Sequence, residues 1–249
     1  MHFIGSGALL QHAASYALTA GLRVAGICCP PGDPAIARLR NLGIAVLESA
    51  DPNQDMLGVL EAGGDGIVFS VNNRWILGDD LLASGARFFN IHNGLVQDYR
   101  GIAEICVFAA LCRGDDRYGT TLQQVLPGRK VDAGPIVAQI EFPIGPDDCF
   151  SDVLHHSLAA CREIFELNVR DIASNSYRTQ VQPTAAAALR YDDVASICAG
   201  ADPARLAKAA HLGRYAGFFP RLKCLIDSAQ AAGSRTAAPA PLRHRGTPQ

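Results

Sequence analysis

The 249-residue chain lacks an excess of either charge: 22 Lys and Arg stand against 24 Asp and Glu, a formal net charge of −2 with histidine neutral. A nucleic-acid binder needs a basic face for the phosphates, so this balance argues against one. No apolar run approaches the roughly 18 to 20 residues that cross a bilayer, so no membrane partner is expected. The opening MHFIGSGALL has neither the basic stretch nor the small-residue cleavage site of a secretion signal, and a soluble cytoplasmic protein is expected. The eight cysteines, at 28, 29, 106, 112, 149, 161, 198 and 224, form no C-x-x-C pair, and the seven histidines no H-x-x-x-H. Neither a disulfide framework nor a metal centre is expected from such spacing, and the cysteines read as small buried hydrophobes in a reducing compartment. There is no internal repeat.

With 49% hydrophobic and 18% charged residues, the chain has enough apolar surface for a large core. Its length suits one large domain, or one domain with an appendage. Through the first ninety residues short β-rich runs alternate with helical stretches: HFIG, helix over 8–20, RVAGICC, helix over 34–41, IAVLE, helix over 54–62, and GIVFSV. This alternation predicts an α/β fold, Rossmann-like, with a mostly parallel sheet and flanking helices. A further strand over 87–91 opens into a polar loop, 92–101, followed by a helix over 102–112. Ligands of open α/β sheets bind beyond the carboxyl ends of strands, so that loop is where chemistry is expected. YGTTLQQVL and GPIVAQIEFPI then read as two strands joined by PGRKVDAG. Residues 150–174 form a long amphipathic helix with Val153, Leu154, Leu158, Ile164, Phe165, Leu167 and Ile172 on its apolar positions. Beyond Ser176 the pattern weakens. The organisation predicted is an α/β domain over 1–175, where any catalysis is expected, a partly helical extension over 176–232 with a helix at 203–212, and a disordered tail over 233–249.

Three places in this layout carry chemistry. The turn Gly5-Ser6-Gly7 opens a helix whose N–H groups suit a phosphate or carboxylate. It lacks the third glycine of a dinucleotide fingerprint and the lysine of a P-loop, so a plain strand-to-helix turn is the favoured reading. At the strand end, Asn90 and His92 sit two residues apart and so share a face, where an amide and an imidazole suit an oxyanion on a carbonyl carbon. The same pair also fits a hydrogen-bonded polar strand end. Asp132, in KVDAG, reads either as a turn residue or as a carboxylate that orients His92 and favours its charged form.

The run FNIHNGLVQDYRG, followed by a helix, YGTTL and KVDAGPIVAQ, resembles the folate-dependent formyltransferase family. That family includes glycinamide ribonucleotide, methionyl-tRNA and nucleotide-sugar amine formyltransferases. Its pattern is Asn-x-His, a loop ending in aromatic-basic-Gly, a Gly-x-Thr strand and a distal Asp-x-Gly. The resemblance implies that Asn90, His92 and Asp132 are a catalytic trio and that 10-formyltetrahydrofolate is the formyl donor. A neutral amine would attack the formyl carbon directly, Asn90 and protonated His92 stabilising the oxyanion while Asp132 sustains that charge and assists proton transfer. No metal or covalent enzyme intermediate is implied. The resemblance also places Trp75, Ile76, Leu77 and Leu82, from NRWILGDDLL, in a pterin pocket closed by the 127–131 loop with Gly128 and Val131. Tyr99, Arg100 and Glu104 fall on the acceptor side. Each reading has a structural counterpart: Trp75 as a core aromatic, Arg100 as a cap on its own loop, Glu104 as a residue favouring a helix N-terminus.

The chain departs from the family where Pro-Ser-Leu-Leu-Pro usually follows the histidine and Asn93, Gly94, Leu95, Val96 and Gln97 stand instead. Without the prolines the loop is expected to be more flexible, and the acceptor to differ from the housekeeping ones. A further β-rich tRNA-binding domain and an N-terminal regulatory domain are both missing from the pattern, which argues against tRNA and demotes formyl-folate hydrolysis. The acceptor implied is a small-molecule amine: an amino sugar nucleotide, an amino acid or hydroxylamine of a siderophore or peptide natural product, or glycinamide ribonucleotide, to whose phosphate loop GSGALLQ is similar. A 10-formyltetrahydrofolate hydrolase and a non-catalytic folate-binding module are the alternatives. Tyr191 and the YAGFFPR segment, 215–221, fall either to the acceptor pocket or to a homodimer contact.

Overall fold

The apolar runs of the first ninety residues become adjacent parallel strands because each is followed by a helix that carries the chain back to the same end of the sheet. The computed structural model describes residues 1–61, 66–182 and 186–236. Chain order runs β1 (His2–Gly5), α1 (Gly7–Thr19), β2 (Gly26–Cys29), α2 (Ile36–Asn41), β3 (Val46–Glu48), α3 (Pro52–Glu61), β4 (Ile67–Val71), α4 (Asp79–Leu82) and β5 (Arg87–His92). It continues through β6 (Arg100–Gly101), α5 (Ala103–Arg113), β7 (Arg117–Val125), β8 (Ile136–Pro143), α6 (Phe150–Ala173), β9 (Ala188–Leu189), α7 (Val194–Gly200), α8 (Pro203–Ala210) and α9 (Pro220–Thr236). The main sheet has seven strands in the order β3-β2-β1-β4-β5-β7-β8, and a small second sheet pairs β6 with β9. The first five strands of the main sheet are parallel to one another, while β7 adds antiparallel to β5 and β8 antiparallel to β7. The strand order reverses direction between β1 and β4, which puts the ligand-binding edge at the carboxyl ends of the central strands.

Strand alternation sorts the core into two faces. Phe3, Phe69 and Phe89 are register partners in β1, β4 and β5 and point to the α1 and α6 side, where Phe165 closes on Phe69 at 5.1 Å between ring centroids. Ile4, Val68 and Phe88 point the other way, onto Met56 and Leu81 of α3 and α4. A further cluster joins α5 and the start of α6 to the helices that follow, with Phe108, Phe150, Val194, Leu222 and Ile226 buried together. The extension therefore shares a core with α5 and α6.

Helix α9, absent from the sequence expectation, runs through Thr236, so the first residues of the expected tail are helical. Residue 62, expected to end a helix, and residues 237–249 of that tail lie outside the described residues. Among the described residues, no helix is long and apolar enough to cross a membrane. Six cysteines are buried, and burial pushes the Cys28 thiol up to about 12 and the Cys161 thiol up to about 11.

Phe69 is fully buried and touches rings from β1, β5 and α6. Phe69→Ala is expected to destabilise the fold by about 3–5 kcal/mol, read from the shift in a urea midpoint; a loss below about 1 kcal/mol would show that this face is not the main core.

Candidate active site

Two strands and one turn build the site. Asn90 and His92 lie at the carboxyl end of β5, on the same side of the strand, and the antiparallel register sets Gln123 opposite Asn90 and Thr121 opposite His92. The chain from β7 to β8 leaves the sheet and folds back, placing Asp132 against this group. Two local features permit that return. Asp132 has φ +52°, a left-handed conformation that aspartate tolerates better than most residues. A Cβ at Gly134 would lie 1.7 Å from the Gln124 carbonyl oxygen, so only glycine lets the turn close on β7.

The Asp132 carboxylate is the meeting point. Its Oδ1 accepts from Gln123 Nε2 at 3.0 Å and Asn90 Nδ2 at 3.3 Å, and its Oδ2 from the Gly101 N–H at 3.0 Å. His92 Nδ1 faces Oδ2 at 3.6 Å, with the two side chains only 6% and 7% exposed. The other ring nitrogen, Nε2, lies 3.0 Å from the Tyr99 carbonyl oxygen. A carbonyl only accepts, so Nε2 carries a proton and Nδ1 is the nitrogen left to face the carboxylate. A ring protonated on both nitrogens satisfies both acceptors at once. The arrangement can thus present two donors, an amide and an imidazolium, beside a carboxylate able to hold charge or accept a proton.

The loop after His92 is tied down without prolines. Thr121 Oγ1 donates to the Gly94 carbonyl at 2.8 Å, Tyr118 to the Asn93 carbonyl at 2.9 Å, and Gln139 to the Gln97 side chain at 2.8 Å. Ser157 donates to Asn93, and Leu95 and Val96 are buried. The flexibility expected from the missing prolines is corrected by this lattice: side-chain hydrogen bonds take over the restraint. Gly94 stands where the family pattern has serine, and a Cβ there would lie 2.9 Å from His92 Nε2 and 3.0 Å from the Tyr99 carbonyl oxygen.

Each acceptor-side candidate has a partner within the protein. The Tyr99 side chain turns away from the site: it is 2% exposed, its hydroxyl donates to Asp115, and Arg113 lies over its ring at 5.2 Å. Burial, and then Asp115, push that hydroxyl well above the usual tyrosine range. What Tyr99 offers the site is its carbonyl. Arg100 is also buried, donating to the Val131 carbonyl and, at 3.0 Å, to the Ala186 carbonyl, which is the capping role for its loop. Glu104, in the first turn of α5, accepts from the Tyr191 hydroxyl, and Arg221 covers the Tyr191 ring at 4.1 Å. This links α5 to the extension. Tyr215 contacts Arg214 beside His155, and Phe218 is 76% exposed.

On the opposite side, Gly128 N–H donates to Asp79 Oδ1 at 2.9 Å and so joins the 127–131 loop to the 73–82 segment. Ile76 and Val131 are left 71% and 42% exposed, whereas Leu82 is buried and Leu77 half-buried on the core. Trp75 is half-buried on the same core, its indole N–H on the Ala50 carbonyl at 3.2 Å and the Arg74 guanidinium 5.1 Å from its ring centroid. The helix-opening turn at residues 5–7 is already filled. Both oxygens of Asp33 accept from Gly7 N–H, at 3.2 and 3.0 Å, and one also accepts from Ala35 N–H at 2.8 Å. Among the described residues, no group of three or more His, Cys, Asp and Glu side chains is placed to hold a metal ion.

Sequence reasoning missed Gln123, Gln182 and the Gly101 amide. Gln182 Nε2 reaches Gln123 Oε1 at 3.2 Å, the Asp132 carbonyl at 3.0 Å and the Gly134 carbonyl at 2.8 Å. Gln123 sits among other polar residues of β7, Thr120, Thr121 and Gln124, so nothing in the strand sets it apart. Nothing local marks Gln182.

Comparison with known proteins places this geometry. Residues 47–165 match the formyl transferase family model. A sugar N-formyltransferase from a Shewanella species superposes with a TM-score of 0.64 at 17% identity, covering 80% of this chain and 80% of that one. Glycinamide ribonucleotide transformylase 1 from Symbiobacterium toebii gives 0.63 at 23% identity, covering 72% of this chain and 92% of its own. An N-formyltransferase from Helicobacter canadensis, in complex with folinic acid and dTDP-3-aminofucose, gives 0.59 at 19% identity over 73% of this chain. The chain spans 66% of that relative's length, just under two thirds. The sheet and its helices are the formyltransferase fold.

Gly94→Ala is expected to push the imidazole off the Tyr99 carbonyl and destabilise the protein by about 1–3 kcal/mol. Proton–nitrogen NMR of the His92 ring checks it: the Nε2 proton, protected in the parent, should exchange rapidly in the variant, and an unchanged signal would contradict the geometry.

Proposed function

We propose that the chain is an N-formyltransferase that moves a formyl group from 10-formyltetrahydrofolate to the amine of a small molecule, with an amino sugar nucleotide as the favoured acceptor class. The observation that carries this reading is the convergence of Asn90 and His92 on Asp132 at the carboxyl end of β5. The donor side has a fitting frame: the 73–82 segment and the 127–131 loop are tied together, leaving apolar Ile76 and Val131 exposed to cover a flat ring. Bound there, the donor supplies an electrophilic formyl carbon. Trp75, Leu77, Leu82 and Gly128 shape that frame from behind.

The residues then divide the work. Asn90 has a second N–H beyond the one given to Asp132, and it donates to the formyl oxygen as negative charge develops there. His92 contributes a second positive dipole through Nδ1, its orientation fixed by the Tyr99 carbonyl. Asp132 holds the imidazolium charge and takes the proton that the attacking amine must lose as the new C–N bond forms, and that proton passes to the folate nitrogen as its bond to the formyl carbon breaks. Arg100 and Glu104 act on the acceptor side by fixing the loop and α5.

Two observations favour the amino-sugar reading over a phosphoribosyl amine. The Helicobacter relative was crystallised with a dTDP-linked amino sugar. The α1 amide cradle is occupied by Asp33 from within the chain, so an acceptor phosphate would have to displace a carboxylate. A reducing cytoplasm suits a chain whose eight cysteines are all free.

The test is to incubate the purified chain with 10-formyltetrahydrofolate and a panel of dTDP- and UDP-linked amino sugars, and to follow tetrahydrofolate release and acceptor mass. A product heavier by one CO supports the proposal, and formate without acceptor modification supports hydrolysis instead. Asn90→Ala and His92→Ala are each expected to lower kcat by about 100-fold or more. Wild-type turnover in both variants would sink the mechanism.

A further inference from the structure

We propose that Gln123 is a positioning residue for Asp132, and that Gln182 couples it to the segment that follows α6; this rests on the formyl-transfer reading above. Gln123 is 1% exposed near the carboxyl end of β7, and a buried amide is costly unless both its ends are matched. Both are matched here, and to functional groups. Its Nε2 donates to Asp132 Oδ1 at 3.0 Å, and its Oε1 accepts from Gln182 Nε2 at 3.2 Å.

The register explains why this glutamine matters. Gln123 is the cross-strand partner of Asn90, so two amides from adjacent strands reach the same carboxylate oxygen, at 3.0 and 3.3 Å. The Gly101 N–H takes the other oxygen at 3.0 Å. Donors on both oxygens fix the plane of the carboxylate, and that plane aims Oδ2 at His92 Nδ1. With Gln123 gone, Oδ1 keeps only the longer bond from Asn90. The carboxylate is then free to turn, and the Asn90 amide is drawn to follow it.

Gln182 holds the main chain as Gln123 holds the side chain. Its amide spans the Asp132 and Gly134 carbonyls, at 3.0 and 2.8 Å, and so pins a turn whose central residue has a left-handed φ. The same stretch of chain also supports Gly101. Ala188 and Leu189 pair with Arg100 and Gly101, the Leu189 carbonyl accepts from Ile102 N–H at 3.0 Å, and the Arg100 guanidinium bridges the Val131 and Ala186 carbonyls. Residues flanking 183–185 thus touch every element that presents a donor to Asp132 except β5. The described residues after α6 are in this sense part of the active site, acting through Asp132 and Gly101.

The experiment uses the full chain with Gln123→Leu, Gln123→His, Gln182→Leu and the Gln123→Leu/Gln182→Leu double variant. Gln123→Leu is expected to lower kcat by about 10- to 100-fold with KM for the folate donor changed less than about threefold, since misplacement by a fraction of an ångström acts on the chemical step. Gln123→His, which keeps a donor of similar reach, should recover most of the loss. The double variant should be no slower than Gln123→Leu alone, because both act through one carboxylate. A purely structural role would instead lower the melting temperature with kcat of the folded fraction intact, and that result overturns the proposal, as does additivity in the double variant. A crystal structure of Gln123→Leu, or of Gln182→Leu should the first not fold, separates this inference from the formyl-transfer reading. A carboxylate that stays aligned on Asn90 and His92 refutes the positioning role whatever the activity, whereas a wild-type chain without transfer or formate release refutes only the reading beneath it.

Discussion

A nearly buried carboxylate survives only where its oxygens are met by donors, and the site is organised around that requirement. Asp132 draws donors from β5, from β7 and from the loop leading into α5, and it faces an imidazole whose other nitrogen is already committed to a carbonyl. Each contact is ordinary. Their value lies in convergence, because a group fixed from three elements cannot turn when charge develops beside it, and preorganised charge is the largest lever on an acyl-transfer barrier.

The architecture follows from that need. On its parallel side Asn90 is the register partner of Ser70 in β4. Adding β7 antiparallel to β5 sets Gln123 across from Asn90 and Thr121 across from His92. The return from β7 to β8 then delivers Asp132, at the cost of a left-handed residue and a glycine pressed onto the neighbouring strand. The apolar faces below, with their phenylalanines stacked strand to strand, keep the carboxyl ends of β4 and β5 in place. The segment beyond α6 completes the arrangement by pairing with Arg100 and Gly101.

How much of this was legible in the chain depends on the distance over which each feature is determined. The parallel layer was legible because its strands and helices alternate locally, and the shared face of Asn90 and His92 follows from strand periodicity alone. Asp132 came only from resemblance, since nothing in KVDAG distinguishes a catalytic carboxylate from a turn residue. Resemblance puts Tyr99 on the acceptor side, and nothing in the sequence signals that its ring is buried with its carbonyl facing His92. Gln123 and Gln182 were invisible because cross-strand register, and the packing of a segment fifty residues away, are decided by tertiary structure. The loop after His92 misled for a related reason: its restraint comes from Thr121, Tyr118, Ser157 and Gln139, all distant in sequence.

The most direct measurement is a single-turnover reaction with donor labelled by carbon-13 in the formyl group, followed by NMR for wild type and Asp132→Asn. The account predicts that label appears in the acceptor's amide with wild type, and that the variant binds the donor with similar affinity but transfers label at least about 100-fold more slowly. Transfer by Asp132→Asn at the wild-type rate would contradict it, because the carboxylate would then be a structural anchor with no part in the chemistry.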